Sequence, residues 1–148
     1  MLLLAIAAIV IIIDQLTKYI VAVNMVEGMS IPIIDEIVHL TFILNPGAAF
    51  GLLENNRWFF VGTAIVVLAI IFFYRREIQA EAKPVQVGIA LFAGGALGNL
   101  IDRVRMGLVI DFFDFRIWPV FNIADIAICM GVGLILWITI KTELKTTK

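Results

Sequence analysis

An unbroken apolar stretch, WFFVGTAIVVLAIIFFY, runs from Trp58 to Tyr74 and is followed at once by Arg75 and Arg76. A long run without charge that ends on two arginines is typical of a helix that crosses a membrane and stops at its surface. The rest of the chain is also rich in apolar residues and poor in charge. Of its 148 residues 62% are hydrophobic and 16% are charged, against about 25% charged in soluble domains. This composition, with a mean hydropathy of +1.06, excludes an ordinary water-soluble domain.

Three further apolar segments have the length of spanning helices, at residues 2–23, 84–101 and 117–140. The segment at 84–101 carries glycine and alanine at spacings that let membrane helices approach closely. With the segment at 58–74, the sequence predicts an all-α membrane protein with four transmembrane helices. We expect residues 1–148 to form a single membrane-embedded domain.

The connection between the first two predicted helices contains a strand pattern. Apolar and polar residues alternate from Val38 to Asn45 before the chain-breaking sequence NPG at 45–47. Period-two alternation is typical of a half-buried strand, and Ala48 to Leu53 could return beside it. We therefore expect a small extracytoplasmic β-sheet, a cradle, between helices 1 and 2.

The positions of Lys and Arg near the helix ends predict the orientation in the membrane. If both termini are cytoplasmic, that side holds Arg75, Arg76, Lys83, Lys141, Lys145 and Lys148. The opposite side then holds Arg57, Arg103, Arg105 and Arg116. Six against four is a mild bias towards cytoplasmic termini.

The charge and the counts of cysteine and histidine argue against nucleic-acid binding, an internal disulfide and a usual metal site. The formal net charge of −1 leaves no basic surface that could neutralise a row of phosphates, so nucleic acid is not an expected partner. The single cysteine, Cys129, cannot form an internal disulfide, and we expect it to be a small buried apolar group. The single histidine, His39, cannot supply a usual multi-ligand metal site without acidic residues.

The informative residues are the polar ones within or near the predicted helices. A carboxylate at the centre of a membrane helix costs about 2.5–3.5 kcal/mol on insertion scales and marks a candidate functional site. Asp14 and Asp125 fit that description. Asn122 lies one turn before Asp125, and Asn99 and Arg103 are four residues apart, so each pair shares a helix face. All five are predicted near the same membrane interface.

Two more acids, Asp111 and Asp114, lie in the β-branched and aromatic stretch LVIDFFDF at 108–115. If this stretch is extended, a separation of three residues sends the two carboxylates to opposite faces. Only one of them can then face a site, and the periodicity does not decide which.

Several segments of the chain match the motifs of one known family. They are DQLTK at 14–18, NPGAAFG at 45–51, GGALGNLIDR at 94–103, VIDF at 109–112 and FNIAD at 121–125. With these motifs in order on four predicted spans, the chain resembles the bacterial lipoprotein signal peptidases over nearly its whole length. These enzymes form the signal peptidase II family of intramembrane aspartyl peptidases.

The resemblance implies an aspartyl endopeptidase that removes the signal peptide from lipid-modified (diacylglyceryl-cysteine) prolipoproteins, cutting just before the modified cysteine. It places the catalytic pair at Asp111 and Asp125. It also implies that four polar side chains line the site and contact substrate or orient the aspartates: Asn45, Asn99, Arg103 and Asn122. Asp14, Lys18 and Gly47 are expected to support the site.

Two carboxylates held close together in a low-dielectric site share one proton and can act as an acid and a base. Such a pair activates water without a covalent intermediate, so we expect no metal and no cofactor. We expect prolipoproteins and membrane lipids as partners, a monomer, and a location in the bacterial cytoplasmic (inner) membrane with the site near the extracytoplasmic face. The glycine-rich face of the third helix could open a lateral slot for the substrate helix.

Other interpretations remain open at this point. Asp14 and Lys18, four residues apart, could simply pair with each other. Asn122 could cap the fourth helix, which would leave Asp125 as a first-turn acid favoured by the helix dipole. A different function, a small proton or ion carrier that uses Asp14 and Asp125, is the alternative hypothesis.

Overall fold

The computed structural model describes residues 2–47, 53–54 and 56–146. The helices are α1 (Leu2–Asn24), α2 (Arg57–Phe73), α3 (Arg75–Ala80), α4 (Lys83–Met106) and α5 (Ile123–Thr146). The strands are β1 (Ser30–Ile34), β2 (Val38–Asn45) and β3 (Val109–Asp114). All three strands lie at the end of the bundle where α1 and α4 finish and α2 and α5 begin, which we call the sheet end.

The described residues contain three helices that are long and apolar enough to cross a membrane: α1, α4 and α5. The fourth predicted span, α2, has 17 residues, or about 26 Å at 1.5 Å per residue. It is apolar but shorter than those three helices and is not one of the three candidate spans. The count of four membrane spans is therefore not confirmed.

Two helix boundaries differ from the prediction. The last helix begins at Ile123 and not at residue 117, because Asn122 caps it and Pro119 precedes the cap. The third predicted helix continues beyond residue 101 to Met106 and ends at Gly107, whose φ of 83° is a left-handed helix cap. Both boundaries follow from local capping chemistry that outweighs the hydropathy pattern.

The sheet is antiparallel with strand order β1-β2-β3. The predicted strand at 38–45 is confirmed, but its neighbours differ from the expectation. One is β1, and the other is β3, which comes from the connection between α4 and α5. The sheet is therefore not built only from the segment between helices 1 and 2. The return strand predicted at 48–53 falls mostly outside the described residues.

A register shift in the β2–β3 pair decides which residues face each other. Leu40 pairs with Phe113 and Ile43 pairs with Asp111, so two residues of β2 lie opposite one residue of β3. Such a bulge interrupts strict alternation. As a result, Thr41 contacts Asp114 whereas Asn45 contacts Asp111, although a regular strand would place both β2 residues on one face.

Helix α4 packs against α1, α5 and α2 and forms the centre of the bundle. Its glycines allow this close approach. A Cβ on Gly94 would lie 2.8 Å from Cβ of Val10, and one on Gly98 would lie 2.5 Å from Oδ2 of Asp14. These glycines lie against α1, so their face of α4 is covered by helix packing. The expectation that this face opens a lateral slot for the substrate is therefore wrong.

A small apolar core holds the sheet on the bundle. It consists of Val21, Met25, Phe42, Ile110 and Phe112. Two of these residues come from the last turn of α1 and the loop after it, and three come from the sheet. Burying them places β3, and with it Asp111, at a fixed position above the helices.

Candidate active site

Asn122 joins two of the predicted site carboxylates. Its side-chain Oδ1 accepts a hydrogen bond from the backbone N–H of Asp125 at 2.9 Å, and Asp125 Oδ2 accepts one from the backbone N–H of Asn122 at 3.1 Å. This reciprocal arrangement is a capping box. The other end of the amide, Nδ2, donates to Asp111 Oδ1 at 2.6 Å. The helix-cap interpretation is therefore confirmed, and the cap itself links the two acids.

Asp111 lies on β3 with 2% of its surface exposed. Its Oδ2 accepts a hydrogen bond from Asn45 Nδ2 at 2.9 Å. Burial, followed by the charge of Asp125, raises the pKa of Asp111 from 3.8 to about 7, although the hydrogen bonds from Asn45 and Asn122 act in the opposite direction. Asp111 can therefore hold a proton near neutral pH.

Asp125 lies in the first turn of α5, and its Oδ1 accepts a hydrogen bond from Asn99 Nδ2 on α4 at 2.8 Å. Asn99 Oδ1 in turn accepts hydrogen bonds from Lys18 Nζ at 2.9 Å and from Asn122 Nδ2 at 3.1 Å. Each predicted asparagine thus contacts one or both of the predicted catalytic aspartates. The position at the start of α5 also exposes Asp125 to the positive end of the helix dipole.

Both acids line one cavity of about 600 Å³. It occupies the space between α2 and α5, with α4 behind it and the sheet at one end. Its apolar walls include Phe60, Val67, Phe92, Ile126 and Met130. The cavity is therefore apolar along the helices and polar where it reaches the sheet end.

Arg103 and Gly47 stand on the same cavity wall. Arg103 Nη2 donates to the carbonyl oxygen of Gly47 at 3.0 Å, and its guanidinium lies 4.7 Å from the ring centroid of Phe60. The backbone N–H of Gly47 donates to Asn45 Oδ1 at 2.9 Å. Gly47 thus connects Arg103 to the amide that holds Asp111.

The family model described as Signal peptidase (SPase) II matches residues 6–141. The chain belongs to the signal peptidase II family. The resemblance seen in the sequence is confirmed, and the protein is a peptidase.

Individual relatives agree with this assignment. The lipoprotein signal peptidase of Moorella thermoacetica is 48% identical over 134 residues, which cover 90% of this chain and 89% of the relative. That of Pelotomaculum thermopropionicum is 45% identical and covers 100% of this chain and 97% of the relative. A solved structure described as a bacterial membrane enzyme superposes with a TM-score of 0.90 at 38% identity, and covers 99% of this chain and 91% of that one.

A second acidic cluster of this signal peptidase II lies beside the site. Lys18 Nζ lies 2.9 Å from Asp14 Oδ2 and 2.8 Å from Asp102 Oδ2, and all three side chains are buried. Gln15 Nε2 donates to Asp102 Oδ1 at 3.0 Å. The pairing of Asp14 with Lys18 is confirmed, as part of a larger set than the sequence predicted. We call Asp14, Lys18 and Asp102 the closed cluster.

Sequence reasoning missed Asp102 and Gln15, although both stand inside the matched motifs. Asp102 follows Asn99 by three residues and so shares a helix face with it. Gln15 directly follows Asp14. Helical spacing could have found Asp102, but nothing in the sequence indicates that it meets a lysine from α1.

Asp114 lies on the opposite side of the sheet from Asp111. Its Oδ2 accepts hydrogen bonds from Thr41 Oγ1 at 2.8 Å and Arg116 Nη1 at 3.2 Å, and its Oδ1 accepts one from the backbone N–H of Arg116 at 2.8 Å. Burial acts to raise the pKa of Asp114, but these hydrogen bonds hold it below its usual value. Of the two acids on β3, Asp111 is the one that faces the cavity.

The expectation for Cys129 is wrong. The cysteine is exposed and lines the cavity. In the part of the chain that the structure describes, no group of three or more His, Cys, Asp or Glu side chains is placed to hold a metal ion.

Proposed function

We propose that this signal peptidase II removes the signal peptide from lipid-modified bacterial prolipoproteins, cutting just before the diacylglyceryl-cysteine, with Asp111 and Asp125 as catalytic residues. The observation that carries the proposal is the bridge through Asn122, which holds both acids on the wall of one cavity. The substrate class is supported by the name lipoprotein signal peptidase, which its relatives carry.

In the proposed reaction the pair holds one proton. The raised pKa of Asp111 favours the proton there, and the helix dipole and capping box favour the ionised form of Asp125. Asp125 removes a proton from water as the water oxygen attacks the scissile carbonyl carbon, while Asp111 donates its proton to the carbonyl oxygen. The neutral gem-diol then collapses: the now ionised Asp111 takes the proton of one hydroxyl as the carbonyl forms again, the C–N bond breaks, and Asp125 gives its proton to the leaving amine.

The three asparagines act as orienting groups in this proposal. Each donates a hydrogen bond from its side-chain amide to an aspartate oxygen: Asn45 and Asn122 to Asp111, and Asn99 to Asp125. Arg103 is the polar group that we assign to the peptide backbone, because its side chain lines the cavity and is attracted by both acids. Gly47 and the closed cluster support the site.

The cavity between α2 and α5 is the proposed entry for the substrate. Its apolar walls suit a signal helix that arrives sideways from the bilayer, and its polar end places the cleavage bond near the pair. This assignment replaces the slot expected along the glycine-rich face of α4. Acyl chains of the substrate and of surrounding lipids would contact the same apolar surfaces.

We further propose that α2 is the fourth membrane span, since its about 26 Å approaches a hydrocarbon core of about 30 Å. The excess of Lys and Arg then places both termini in the cytoplasm and the sheet end at the extracytoplasmic face of the cytoplasmic (inner) membrane. Residues 1–148 act as one domain. A monomer suffices, because α1, α2, α4, α5 and the sheet enclose the site.

The test is cleavage of a lipid-modified precursor by the purified protein in detergent. Asp111→Asn and Asp125→Asn keep the shape of each side chain and remove its acid, so each should reduce kcat by more than about a thousandfold, as loss of a catalytic group does. Asp114→Asn is the matched control on the same strand and should cleave at the wild-type rate. Full activity in either of the first two variants would exclude the pair.

The ion-carrier alternative gains no support from the described residues. Asp14 is occupied by Lys18, so it cannot relay charge freely with Asp125. Towards the α3 end, the described cavity next to α2 and α5 is lined by aliphatic and aromatic side chains such as Ile70, Ile89 and Val132. A proton path would need polar groups there.

A further inference from the structure

Lys18 is a buried cation, 2% exposed, and its three ammonium hydrogens all find acceptors. The acceptors are Asp14 Oδ2 at 2.9 Å, Asp102 Oδ2 at 2.8 Å and Asn99 Oδ1 at 2.9 Å. The lysine lies outside the cavity that holds the catalytic pair. The mechanism above gives it no step, so a buried charge remains to be explained.

The two acids that Lys18 binds also hold the backbone next to the catalytic pair. Asp14 Oδ1 accepts a hydrogen bond at 2.9 Å from the backbone N–H of Ala124, the residue before Asp125. Asp102 Oδ2 accepts a longer one, 3.4 Å, from the backbone N–H of Ile110, the residue before Asp111. Each acid of the closed cluster therefore anchors the chain immediately ahead of one catalytic acid.

The third contact of Lys18 sets the orientation of an amide. Because Asn99 Oδ1 accepts from Lys18, the Nδ2 of the same amide points to Asp125 and donates to it. If the amide turned over, its oxygen would face the ionised Asp125 carboxylate and repel it. Through one intermediate residue each, Lys18 is thus linked to the backbone of the residue before each catalytic acid and to the side chain of Asp125.

We propose that Lys18 is a positioning residue for the peptidase reaction: with Asp14 and Asp102 it forms a brace that fixes the separation of the Asp111 and Asp125 carboxylates. The inference rests on the proposed function, because it requires those two acids to act as a pair. A buried ion cluster suits this task, since removing one member leaves the others unpaired and makes any rearrangement costly. Catalytic groups must be held within about 0.5 Å of their productive geometry.

The first test is Lys18→Met, which keeps the length of an unbranched side chain and removes the ammonium. We expect kcat for precursor cleavage to fall about 10- to 100-fold, the usual cost of a shift of about 1 Å in reacting groups. KM should stay within about threefold of wild type, because Lys18 does not reach the cavity. The pH profile of kcat should also change, since the coupling of the two acids depends on their separation. Thr17→Ala, next on α1, is the control and should leave kcat unchanged.

The second variant, Lys18→Met combined with Asp102→Asn, separates positioning from folding. It removes the repulsion between Asp14 and Asp102 that the single variant leaves behind, so the Tm should recover towards wild type. Under the proposal kcat stays low, because Asn99 still lacks its donor. Recovery of both Tm and kcat would show a purely structural cluster and overturn the proposal, as would a wild-type kcat and pH profile in Lys18→Met.

Two further arms complete the test. If neither Lys18 variant folds, the isosteric Asp102→Asn decides: a lower kcat at unchanged KM supports the brace, and a wild-type kcat contradicts it. Asp111→Asn and Asp125→Asn, run in the same assay, separate the two proposals. If both are inactive while Lys18→Met is fully active, only the brace fails, and if either is active, the catalytic pair itself fails.

Discussion

The closed cluster and the proposed catalytic pair, Asp111 and Asp125, are neighbours joined by Asn99, and each is built around two aspartates. Asp14, Asp102 and Asp111 are buried, and Asp125 is partly buried. In the closed cluster Lys18 lies within 2.9 Å of both acids. In the pair, Asp111 and Asp125 are held by amide and backbone N–H groups, and among the described residues neither acid forms an ion pair with a lysine or arginine. The difference is one cation in direct contact with the acids, because Arg103 shares the cavity with the pair but forms no ion pair with either acid among the described residues.

That cation changes the chemistry of the acids beside it. A carboxylate paired with a buried ammonium is a fixed charge that stabilises the fold and whose loss is costly. Two carboxylates that share only neutral donors cannot both ionise cheaply, so they retain a proton that can be moved. The closed cluster should therefore govern stability and geometry, and the pair should govern turnover.

The largest expected effect on stability is that of Asp14→Ala. It leaves Lys18 with an incomplete set of acceptors and removes the acceptor of the Ala124 N–H, so the free energy of unfolding should fall by about 3–5 kcal/mol. Asp111→Ala, which removes an acid from the pair, should cost about 1 kcal/mol. Unfolding of both variants in detergent micelles at pH 6 measures the difference. Equal losses would mean that the two groups do not differ as described.

The next prediction concerns the helix contact beneath the closed cluster. A Cβ at Gly98 would lie 2.5 Å from Asp14 Oδ2, whereas a Cβ at Gly133, on the same bundle, meets nothing within 4 Å. Gly98→Ala should lower the free energy of unfolding by about 1–3 kcal/mol, the range for overpacking, and Gly133→Ala should be neutral or slightly stabilising. Thermal unfolding of the two variants is sufficient, and a tolerated Gly98→Ala would contradict the tight packing of α1 on α4.

A smaller effect should be seen in the dependence of stability on pH. Because folding raises the pKa of Asp111 from 3.8 to about 7, the folded state holds this proton more tightly than the unfolded state. The resulting stabilisation is complete below about pH 4 and is lost as the pH rises through about 7, with a maximum slope of about 1.4 kcal/mol per pH unit. The Tm of Asp111→Asn should therefore fall less between pH 5 and pH 8 than that of wild type. Parallel curves for the two proteins would count against the raised pKa.

The smallest effect is expected at Asp114, the acid on β3 that forms an ion pair with Arg116. Its lowered pKa means that its contribution to stability is present at neutral pH and is lost as the pH falls through the folded value. Asp114→Asn should lower stability by about 1 kcal/mol at pH 7 and by less at pH 3. Cleavage should remain at the wild-type rate. A large loss of activity would mean that Asp114 is also needed for catalysis, and that the two acids on β3 do not differ in function as proposed.

Much of the site was predictable because its residues stand out against an apolar background. Asp14 and Asp125 were recognised from their cost in a membrane, and Asn99 and Asn122 from helical spacing. Periodicity alone could not choose Asp111 over Asp114. The choice depends on a bulge in the neighbouring strand β2, which lets Thr41 contact Asp114 and Asn45 contact Asp111 on opposite faces of the sheet. Strand β1 was missed because its residues, SIPII, are all exposed and carry no alternation.

The amino-acid sequence by itself determined the apolar segments, the polar residues between them and the family, because hydropathy and motifs are properties of neighbours along the chain. The tertiary structure alone decided which acids receive a cation and which share a cavity. Lys18 reaches Asp102 across α1 and α4, and Asn122 reaches Asp111 from α5 to β3. Such contacts depend on helix packing to within about an ångström, and the free energy that separates a paired charge from an unpaired one arises only there.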